Sequence, residues 1–338
     1  MTLEVKDLSI KNFERVVQLT DDTTKLNCII SIHNTNLGPS MGGVRSWEYS
    51  NFDSHLNDAL NLSESMTLKN SICGINFGGG KAVINLKGIK KSADLYKSYA
   101  EGVEKLKGEY ITACDVGTTT DDLVECSKVT KYVSGIKLET SEPTAKGLLY
   151  AIKSYQDFML DNNSLENIHV AISGIGKVGS KLATLLYEEG SKITASSIDK
   201  NRIIELKNNI EFNEVEIDEL YKTKCDIISP CALGKSINSS SIKELRCKSI
   251  IGAANNQLDS EETAKWLMKN NIIYCPDYLV NSGGVIAVSC DINNTENILD
   301  KELRKIAIRV RNILEESIKN NKSTVEVAKR IAWERINN

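Results

Sequence analysis

The two halves of the chain differ in how apolar and polar positions alternate. In residues 1–140, short apolar runs over Leu26–His33, Ala82–Asn85 and Tyr110–Ala113 predict strands. From about Asp53 to Asn70, apolar and small residues recur at helical spacing, which predicts one long helix. The first half is therefore predicted to be a mixed domain of strands and helices.

Residues 145–290 alternate short apolar runs with amphipathic segments. The runs have the length of strands and are His169–Ser173, Lys192–Ile198, Asp226–Ser229, Ser249–Ala253 and Ile272–Tyr274. This alternation predicts a doubly wound parallel sheet covered by helices, so the chain is assigned to the α/β class. The tail from Asp300 to Ile336 has helical spacing.

Composition and charge exclude several classes of function and say little about the fold. The chain has 338 residues, enough for two domains, and its net charge of −3 gives no reason to expect a nucleic-acid or membrane partner. Nine singly scattered cysteines favour reduced thiols over a disulfide framework, and no leader or membrane span is predicted. Three distant histidines and the absence of zinc spacing predict no metal site. We expect a cytoplasmic protein.

A glycine-rich turn follows the strand at His169–Ser173. Three glycines stand at Gly174, Gly176 and Gly179, with Ile175, Lys177 and Val178 between them. Glycines at these positions permit a tight turn, let the backbone approach a pyrophosphate and allow the helix to pack closely on the strand. A chance glycine-rich turn is the alternative. The strand, turn, helix and second strand in succession favour a dinucleotide site.

The end of the second nucleotide strand departs from the usual pattern. A NAD site commonly has an acid there, on the ribose hydroxyls. Here that place falls on Ser197, with Asp199 two residues later and Lys200 and Arg202 beyond. Lys200 and Arg202 could bind the 2′-phosphate of NADP, or they could be solvent-exposed residues at the start of an ordinary helix. NAD is expected, and NADP stays open.

Three stretches of the first half carry candidate catalytic groups. They read LGPSMGGVRSW, ESMTLKNSICGINFGGGKAVI and YITACDVGTT. Lys69 and Lys81 flank a glycine-rich turn, but a P-loop is excluded because Ile75 and Ala82 occupy positions that require Gly and Ser or Thr. On an amino-acid substrate, one lysine can hold the carboxylate and another, made more acidic by burial and a nearby cation, can act as acid and base. An aspartate can exchange a proton with the amine. The alternative is that both lysines are ordinary surface residues.

At these motifs the chain resembles the leucine, phenylalanine and valine dehydrogenases of the glutamate dehydrogenase superfamily, with leucine dehydrogenase as the nearest resemblance. The segments that carry it are Leu37–Trp47, Met66–Ile84, Tyr110–Thr119, Ser229–Leu233, Ile251–Leu258 and Tyr274–Val288. The resemblance implies that Lys69 binds the substrate carboxylate, Lys81 is catalytic and Asp115 is its acidic partner. Further site residues that it implies are Gly42 and Gly43 at the substrate, Asn255 and Asn281 near the nicotinamide and substrate, Thr144 at the cofactor, and Met41, Ala113, Val285 and Val288 around the substrate side chain.

The resemblance also implies an architecture and a reaction. Residues 1–140 would form a catalytic domain, to which a C-terminal helix at about 310–338 returns, and residues 141–309 a Rossmann domain across a cleft. The chain would be a homo-oligomer, either an octamer or a dimer. It would convert leucine, isoleucine or valine to the 2-oxo acid and ammonium. An aromatic amino-acid dehydrogenase and a catalytically silent nucleotide-binding protein are the alternatives.

Four departures from the family pattern bear on those alternatives. Ser197 replaces an acid, Cys114 stands where a glutamate is expected, the segment at 136–143 is short, and an aromatic stretch is missing after Val288. None of them removes Lys69, Lys81 or Asp115.

Overall fold

The computed structural model describes residues 3–136, 138–232 and 234–338. Lys137, in the short segment, and Leu233, in one of the resembling motifs, lie outside the described residues. The chain forms two compact units. The first comprises Met1–Leu138, Asp291–Asn293 and Ala332–Asn338, and the second comprises Glu139–Cys290 and Asn294–Ile331. The predicted α/β class is confirmed. The division into folding domains at residues 140 and 309 stays a prediction.

The first unit is built on a mixed six-stranded sheet. Its strands are β1 (Glu4–Leu8), β2 (Arg15–Asp21), β3 (Leu26–Asn34), β4 (Ser40–Trp47), β5 (Gly78–Asn85) and β6 (Tyr110–Cys114). Their order is β1-β2-β3-β5-β4-β6. Pairing is antiparallel from β1 to β5, whereas β5, β4 and β6 run parallel. The carboxyl ends of these three strands therefore lie at one edge of the sheet.

Helices cover both faces of this sheet. They are α1 (Phe52–Ile72), α2 (Ala93–Lys105) and α3 (Thr120–Ser127). The α2 face buries a core that includes Tyr96, Tyr99 and Tyr110. On the other face, Ala59 of α1 packs with Val83 of β5. The sheet is thus buried on two sides, and any polar group in its centre needs a partner.

The second unit contains a six-stranded sheet that is parallel throughout. Its strands are β7 (His169–Ser173), β8 (Lys192–Ser196), β9 (Asn213–Glu214), β10 (Ile227–Pro230), β11 (Ser249–Ile250) and β12 (Ile273–Tyr274). The order β12-β11-β10-β7-β8-β9 reverses direction between β7 and β10. This is the doubly wound arrangement in which a dinucleotide binds at the switch point.

The remaining helices complete the fold. They are α4 (Ser141–Leu160), α5 (Lys177–Glu188), α6 (Lys200–Lys207), α7 (Ile217–Leu220), α8 (Glu261–Lys269), α9 (Asp277–Val280), α10 (Gly283–Ile292), α11 (Leu299–Asn320) and α12 (Thr324–Asn337). Two short 3₁₀ turns lie at Ser241–Glu244 and Glu296–Ile298. Among the described residues, no helix is long and apolar enough to cross a membrane.

Most predicted elements are present, but β1, β2 and β9 lie where no strand was predicted. β4 was not predicted, because its glycines and arginine interrupt the apolar pattern. The helical tail is two helices, since Asn321 ends α11 in the left-handed conformation at φ 51°. Only Ala332–Asn338 of that tail groups with the first unit.

Candidate active site

The glycines before Lys81 allow a helix to lie directly on β5. A Cβ atom at Gly79 would stand 2.0 Å from Oγ1 of Thr67 and 2.2 Å from its backbone nitrogen. Only glycine permits this approach of α1. Because side chains alternate along a strand, Lys81 points to the same side of the sheet as Gly79. The strand thus carries a lysine into the buried space beside α1.

Lys81 meets Asp115 there. Lys81 Nζ lies 3.0 Å from Asp115 Oδ2, and the lysine side chain is only 6% exposed. Arg45 of β4 donates from Nε to the same oxygen, also at 3.0 Å. Burial alone would raise the pKa of Asp115, but the charges of Lys81 and Arg45 outweigh burial and hold this pKa below its usual value. The structure therefore joins two residues predicted from sequence and adds Arg45, for which no role was predicted.

The turn that carries Asp115 is fastened to β4. Gly117 has a φ of +77°, and a Cβ atom there would lie 1.9 Å from the carbonyl oxygen of Ser46. Thr118 Oγ1 donates to the carbonyl of Val44 at 2.8 Å, and Ser46 donates its backbone N–H to Val116 at 2.9 Å. The position of Asp115 is thus set by hydrogen bonds between β4 and the turn that follows β6.

Gly42 and Gly43 have a structural reason to be glycine. A Cβ atom at Gly42 would lie 1.8 Å from the carbonyl oxygen of Gly80. At Gly43 it would lie 2.8 Å from Cβ of Asp115. Both glycines therefore bring β4 close to the catalytic candidates, and their contact with substrate stays a prediction.

Lys69 occupies the last turn of α1 and is half-buried. Its neighbour Asn70 donates to the carbonyl of Gly78 at 2.6 Å, which ties this end of the helix to β5. Met41 on β4 is 2% exposed, and Ala113 on β6 is half-buried. The first unit thus contains Lys69, Lys81, Asp115 and the two apolar positions on one sheet and its covering helix.

In the second unit, the glycine-rich turn has the form of a phosphate cradle. Gly174 follows β7 with a φ of +97°, and a Cβ atom at Gly179 would lie 2.0 Å from the carbonyl oxygen of Gly174. Helix α5 begins after Gly176 with no side-chain cap. Among the described residues, and apart from its own chain neighbours, no atom lies within 4 Å of the Cβ position of Gly176. Open space before uncapped amide groups fits a dinucleotide pyrophosphate.

Directly after β8, Ser197 stands where a NAD site commonly has an acid. Ser197 Oγ accepts the N–H of Asp199 at 3.2 Å. Asp199 caps α6, because its Oδ1 accepts the backbone N–H groups of Asn201 at 3.1 Å and Arg202 at 3.4 Å. Lys200 forms ion pairs with Glu214 and Glu216. The polar groups at this edge are therefore largely engaged with one another.

Other residues predicted to bind the cofactor or the substrate lie in the second unit. Asn281 donates to Oδ1 of Asn255 at 2.8 Å and to the carbonyl of Ala253 at 3.1 Å. Thr144 Oγ1 donates to the carbonyl of Thr140 and lies 3.1 Å from the Cβ position of Gly284. On α10, Val285 is half-buried and Val288 is buried. In the described parts of the chain, no three His, Cys, Asp or Glu residues are placed to hold a metal ion.

Two family models match nearly the whole chain. The model described as "Glu/Leu/Phe/Val dehydrogenase, dimerisation domain" matches residues 10–132. The model described as "Glutamate/Leucine/Phenylalanine/Valine dehydrogenase" matches residues 135–216 and 198–338. The chain belongs to the Glu/Leu/Phe/Val dehydrogenase family. The resemblance inferred from sequence is confirmed, and this family member is an NAD(P)-dependent oxidoreductase that acts on CH–NH₂ donors.

Relatives with different substrates are about equally similar to this dehydrogenase. Phenylalanine dehydrogenase from Lysinibacillus sphaericus is 38% identical, over 95% of this chain and 88% of its own length. Leucine dehydrogenase from Bacillus subtilis (strain 168) is 36% identical, over 96% of this chain and 92% of its own. The crystal structure of L-tryptophan dehydrogenase from Nostoc punctiforme matches with a TM-score of 0.87 and 36% identity. The match covers 97% of this chain and 96% of that one. These identities do not separate aliphatic from aromatic substrates.

Proposed function

We propose that this dehydrogenase oxidatively deaminates leucine, isoleucine or valine, with NAD as its cofactor. The buried contact between Lys81 and Asp115 carries the catalytic part of the proposal. A lysine at 6% exposure, paired with a carboxylate, is poorly explained as a surface residue and well explained as an acid–base group. The assembled pair is evidence against the silent-homologue alternative, which was motivated by the short segment at 136–143.

The chain's own residues have distinct tasks in the proposed reaction. Lys69 holds the α-carboxylate as a point charge. The bound dinucleotide supplies a hydride acceptor for Cα of the amino acid. Lys81 takes a proton from the water that attacks the resulting imine, and Asp115 exchanges a proton with the departing nitrogen. The products are the 2-oxo acid, ammonium, a proton and the reduced cofactor.

The preference for an aliphatic side chain rests on the positions that the family resemblance assigns to it. Met41 and Ala113 stand in the first unit, and Val285 and Val288 in the second. None of the four side chains carries a charge or a hydrogen-bonding group. Burying a substrate γ-carboxylate without a charged or hydrogen-bonding partner would cost several kcal/mol, so we expect glutamate to be a poor substrate. Two valines leave room for a branched chain and crowd a large ring.

The preference for NAD rests on the charges at the edge of β8. Lys200 is paired with Glu214 and Glu216, and Arg202 lies 3.5 Å from Asp199. Cations already matched by carboxylates attract a 2′-phosphate weakly. With Ser197 in place of an acid, repulsion of the phosphate is also weak. NAD is therefore preferred, with some turnover of NADP.

A spectrophotometric screen of L-amino acids with NAD⁺ and NADP⁺ tests the proposal. We expect the highest kcat/KM for a branched-chain amino acid with NAD⁺ and shallow discrimination among the three, because one methylene is worth about 1–3 kcal/mol. A higher kcat/KM for phenylalanine or tryptophan than for all three would assign the aromatic alternative. No turnover of any amino acid, with NADH still bound, would assign the silent one.

The assembly and location of the chain are also proposed on the resemblance. We propose a cytoplasmic homo-oligomer, either an octamer or a dimer, with an amino acid and its 2-oxo acid as partners. Light scattering of the purified protein measures its mass directly. A mass of 37.4 kDa, that of one chain, would contradict the oligomer.

A further inference from the structure

We propose that Arg45, held in place by Asp58 and Tyr49, is a positioning residue for Asp115 that fixes one carboxylate oxygen beside Lys81 and leaves the other for the nitrogen of the amino acid. This inference rests on the proposed deamination, since it assigns an atom of Asp115 to that reaction. All five residues belong to the first unit.

The two oxygens of Asp115 are used unequally. Oδ2 accepts both Arg45 Nε and Lys81 Nζ, each at 3.0 Å. Among the described residues, no side chain or backbone group donates to Oδ1. Two cationic donors on one oxygen set the rotation of the carboxylate about its Cβ–Cγ bond. Oδ1 is therefore held ready to take a proton from a substrate ammonium or to return one.

Arg45 is itself held from its other side. Its Nη1 donates to Asp58 Oδ2 at 3.1 Å and lies 3.4 Å from Oδ1. Tyr49 donates its hydroxyl to Asp58 Oδ2. Burial and the neighbouring Asp58 carboxylate raise the pKa of Tyr49, so the phenol keeps the proton that it donates. Asp58 belongs to α1, while Arg45 and Tyr49 lie on β4 and just beyond it, so the chain of contacts spans two elements.

The shape of an arginine explains why this residue type is present. Its planar guanidinium presents Nε and Nη1 in a fixed fork, and here each arm of the fork meets a different carboxylate. A lysine ammonium is a point charge on a flexible stem and cannot fix both carboxylates in one plane. Replacing Arg45 by lysine therefore keeps the charge and removes the geometry.

The charged and titratable groups around Asp115 determine what each variant does to its pKa. They are Lys81 from β5, Arg45 from β4, Asp58 from α1, which acts through Arg45, and Tyr110 and Cys114 from β6, the strand before Asp115. Arg45→Ala removes one of two cations that lower the pKa of Asp115 and leaves much of its burial. We expect that pKa to rise, which moves the acidic limb of kcat/KM to higher pH. Arg45→Lys should move it less.

The test compares Arg45→Lys, Arg45→Ala, Asp58→Asn and Tyr49→Phe with the wild type. In Arg45→Lys we expect kcat to fall by about 10²-fold, the effect of misplacing a reacting group by about 1 Å, with little change in KM. Asp58→Asn and Tyr49→Phe should give smaller losses in the same direction. Added guanidinium should restore part of the turnover of Arg45→Ala, because the cavity beside Arg45, about 490 Å³ and also lined by Asn57 and Asn61, admits it.

Arg15→Lys is a matched control. Arg15 belongs to the same sheet and also joins two carboxylates, Asp7 through Nε and Glu109 through Nη1, each at 3.0 Å. Its substitution should leave kcat and the pH profile unchanged. Unchanged kcat in Arg45→Lys, or no response of Arg45→Ala to guanidinium while its thermal unfolding stays cooperative, would overturn the positioning role.

A measurement without turnover separates this inference from the proposed deamination. The pKa of the Asp115 carboxyl can be followed by ¹³C NMR in the protein alone. A higher pKa in Arg45→Ala than in the wild type supports the positioning contact, even if no amino acid is turned over. The same pKa in both proteins overturns it, whatever the substrate screen shows.

Discussion

Asp115 and Asp199 are carboxylates placed alike in the two sheets, each just after a parallel strand, and they have different surroundings. The Asp115 side chain is 21% exposed and lies 3.0 Å from both Lys81 and Arg45. The Asp199 side chain is 47% exposed and caps the helix that follows it. The strands next to β6 and β8 explain why the two carboxylates have different surroundings. β4 and β5 each carry a cation to the same space, whereas β7 ends in a glycine turn and β9 ends in Glu214.

A position at the end of a strand does not by itself make an acid functional. A carboxylate acquires a depressed pKa and a fixed orientation when adjacent strands provide donors for it. At β8 the hydrogen-bond capacity of the acid is used by two backbone N–H groups of its own helix. We therefore assign chemistry to the first acid and stability to the second, and substitutions at Lys81, Lys69 and Asp199 test that assignment.

The largest effect is expected from Lys81→Ala, which removes the partner of Asp115. Turnover should fall by about 10²–10⁴-fold, the usual contribution of a general acid–base group. NADH should still bind, because the phosphate cradle lies in the second unit. Steady-state kinetics and fluorescence titration with NADH measure the two properties separately.

Lys97→Ala is the control for that substitution, since Lys97 is a half-exposed lysine of the same unit that pairs with Asp94 and Glu125. It should leave turnover unchanged. Near-normal turnover in Lys81→Ala would show that the buried ion pair is structural. Asp115 would then be no more catalytic than Asp199.

Much of the fold was predictable from sequence, and β4 shows why part of it was not. The helix predicted from about Asp53 to Asn70 is α1, and the strand predicted at His169–Ser173 is β7 without any shift. β4 has glycines at its centre and an arginine near its end, which weakens any apolar alternation. Its burial comes from pairing with β5 and β6, which are distant in sequence.

The candidate site was also predicted only in part, because some of its contacts depend on elements that are distant in sequence. Lys81 and Asp115 were named from motifs, but no role was predicted for Arg45, although it lies in the quoted motif around Gly43. One signal was present: Arg45 is two residues after Gly43 and so shares its face if the segment is a strand. That inference requires β4, and its partner Asp58 is recognised only when α1 is placed across the sheet.

A smaller effect on turnover is expected from Lys69→Ala. The carboxylate of the amino acid is present from binding to product, so losing its cation removes ground-state and transition-state binding alike. A hydrogen bond to a charged group contributes about 1.5–3 kcal/mol, which corresponds to a rise in KM of about 10–100-fold. The loss in kcat should be much smaller than in Lys81→Ala. If KM for the amino acid is unchanged, another cation holds the carboxylate, and the division of labour between the two lysines is wrong.

The smallest effect is expected at Asp199, where the charge and the cap can be separated. Asp199→Ala removes both and should lower the free energy of unfolding by about 0.5–2 kcal/mol, the cost of losing a helix N-cap. Asp199→Asn keeps a capping oxygen and removes the charge, so it should cost less, as equilibrium unfolding in urea can measure. Neither substitution should change the ratio of kcat/KM for NAD⁺ and NADP⁺ by more than about tenfold, because the carboxylate is engaged by α6. Should Asp199→Asn raise the use of NADP⁺ by about 10³-fold, the acid must leave its cap to reach the ribose. Asp199 would then be a functional carboxylate like Asp115, and its contacts in the protein alone would describe only its resting arrangement.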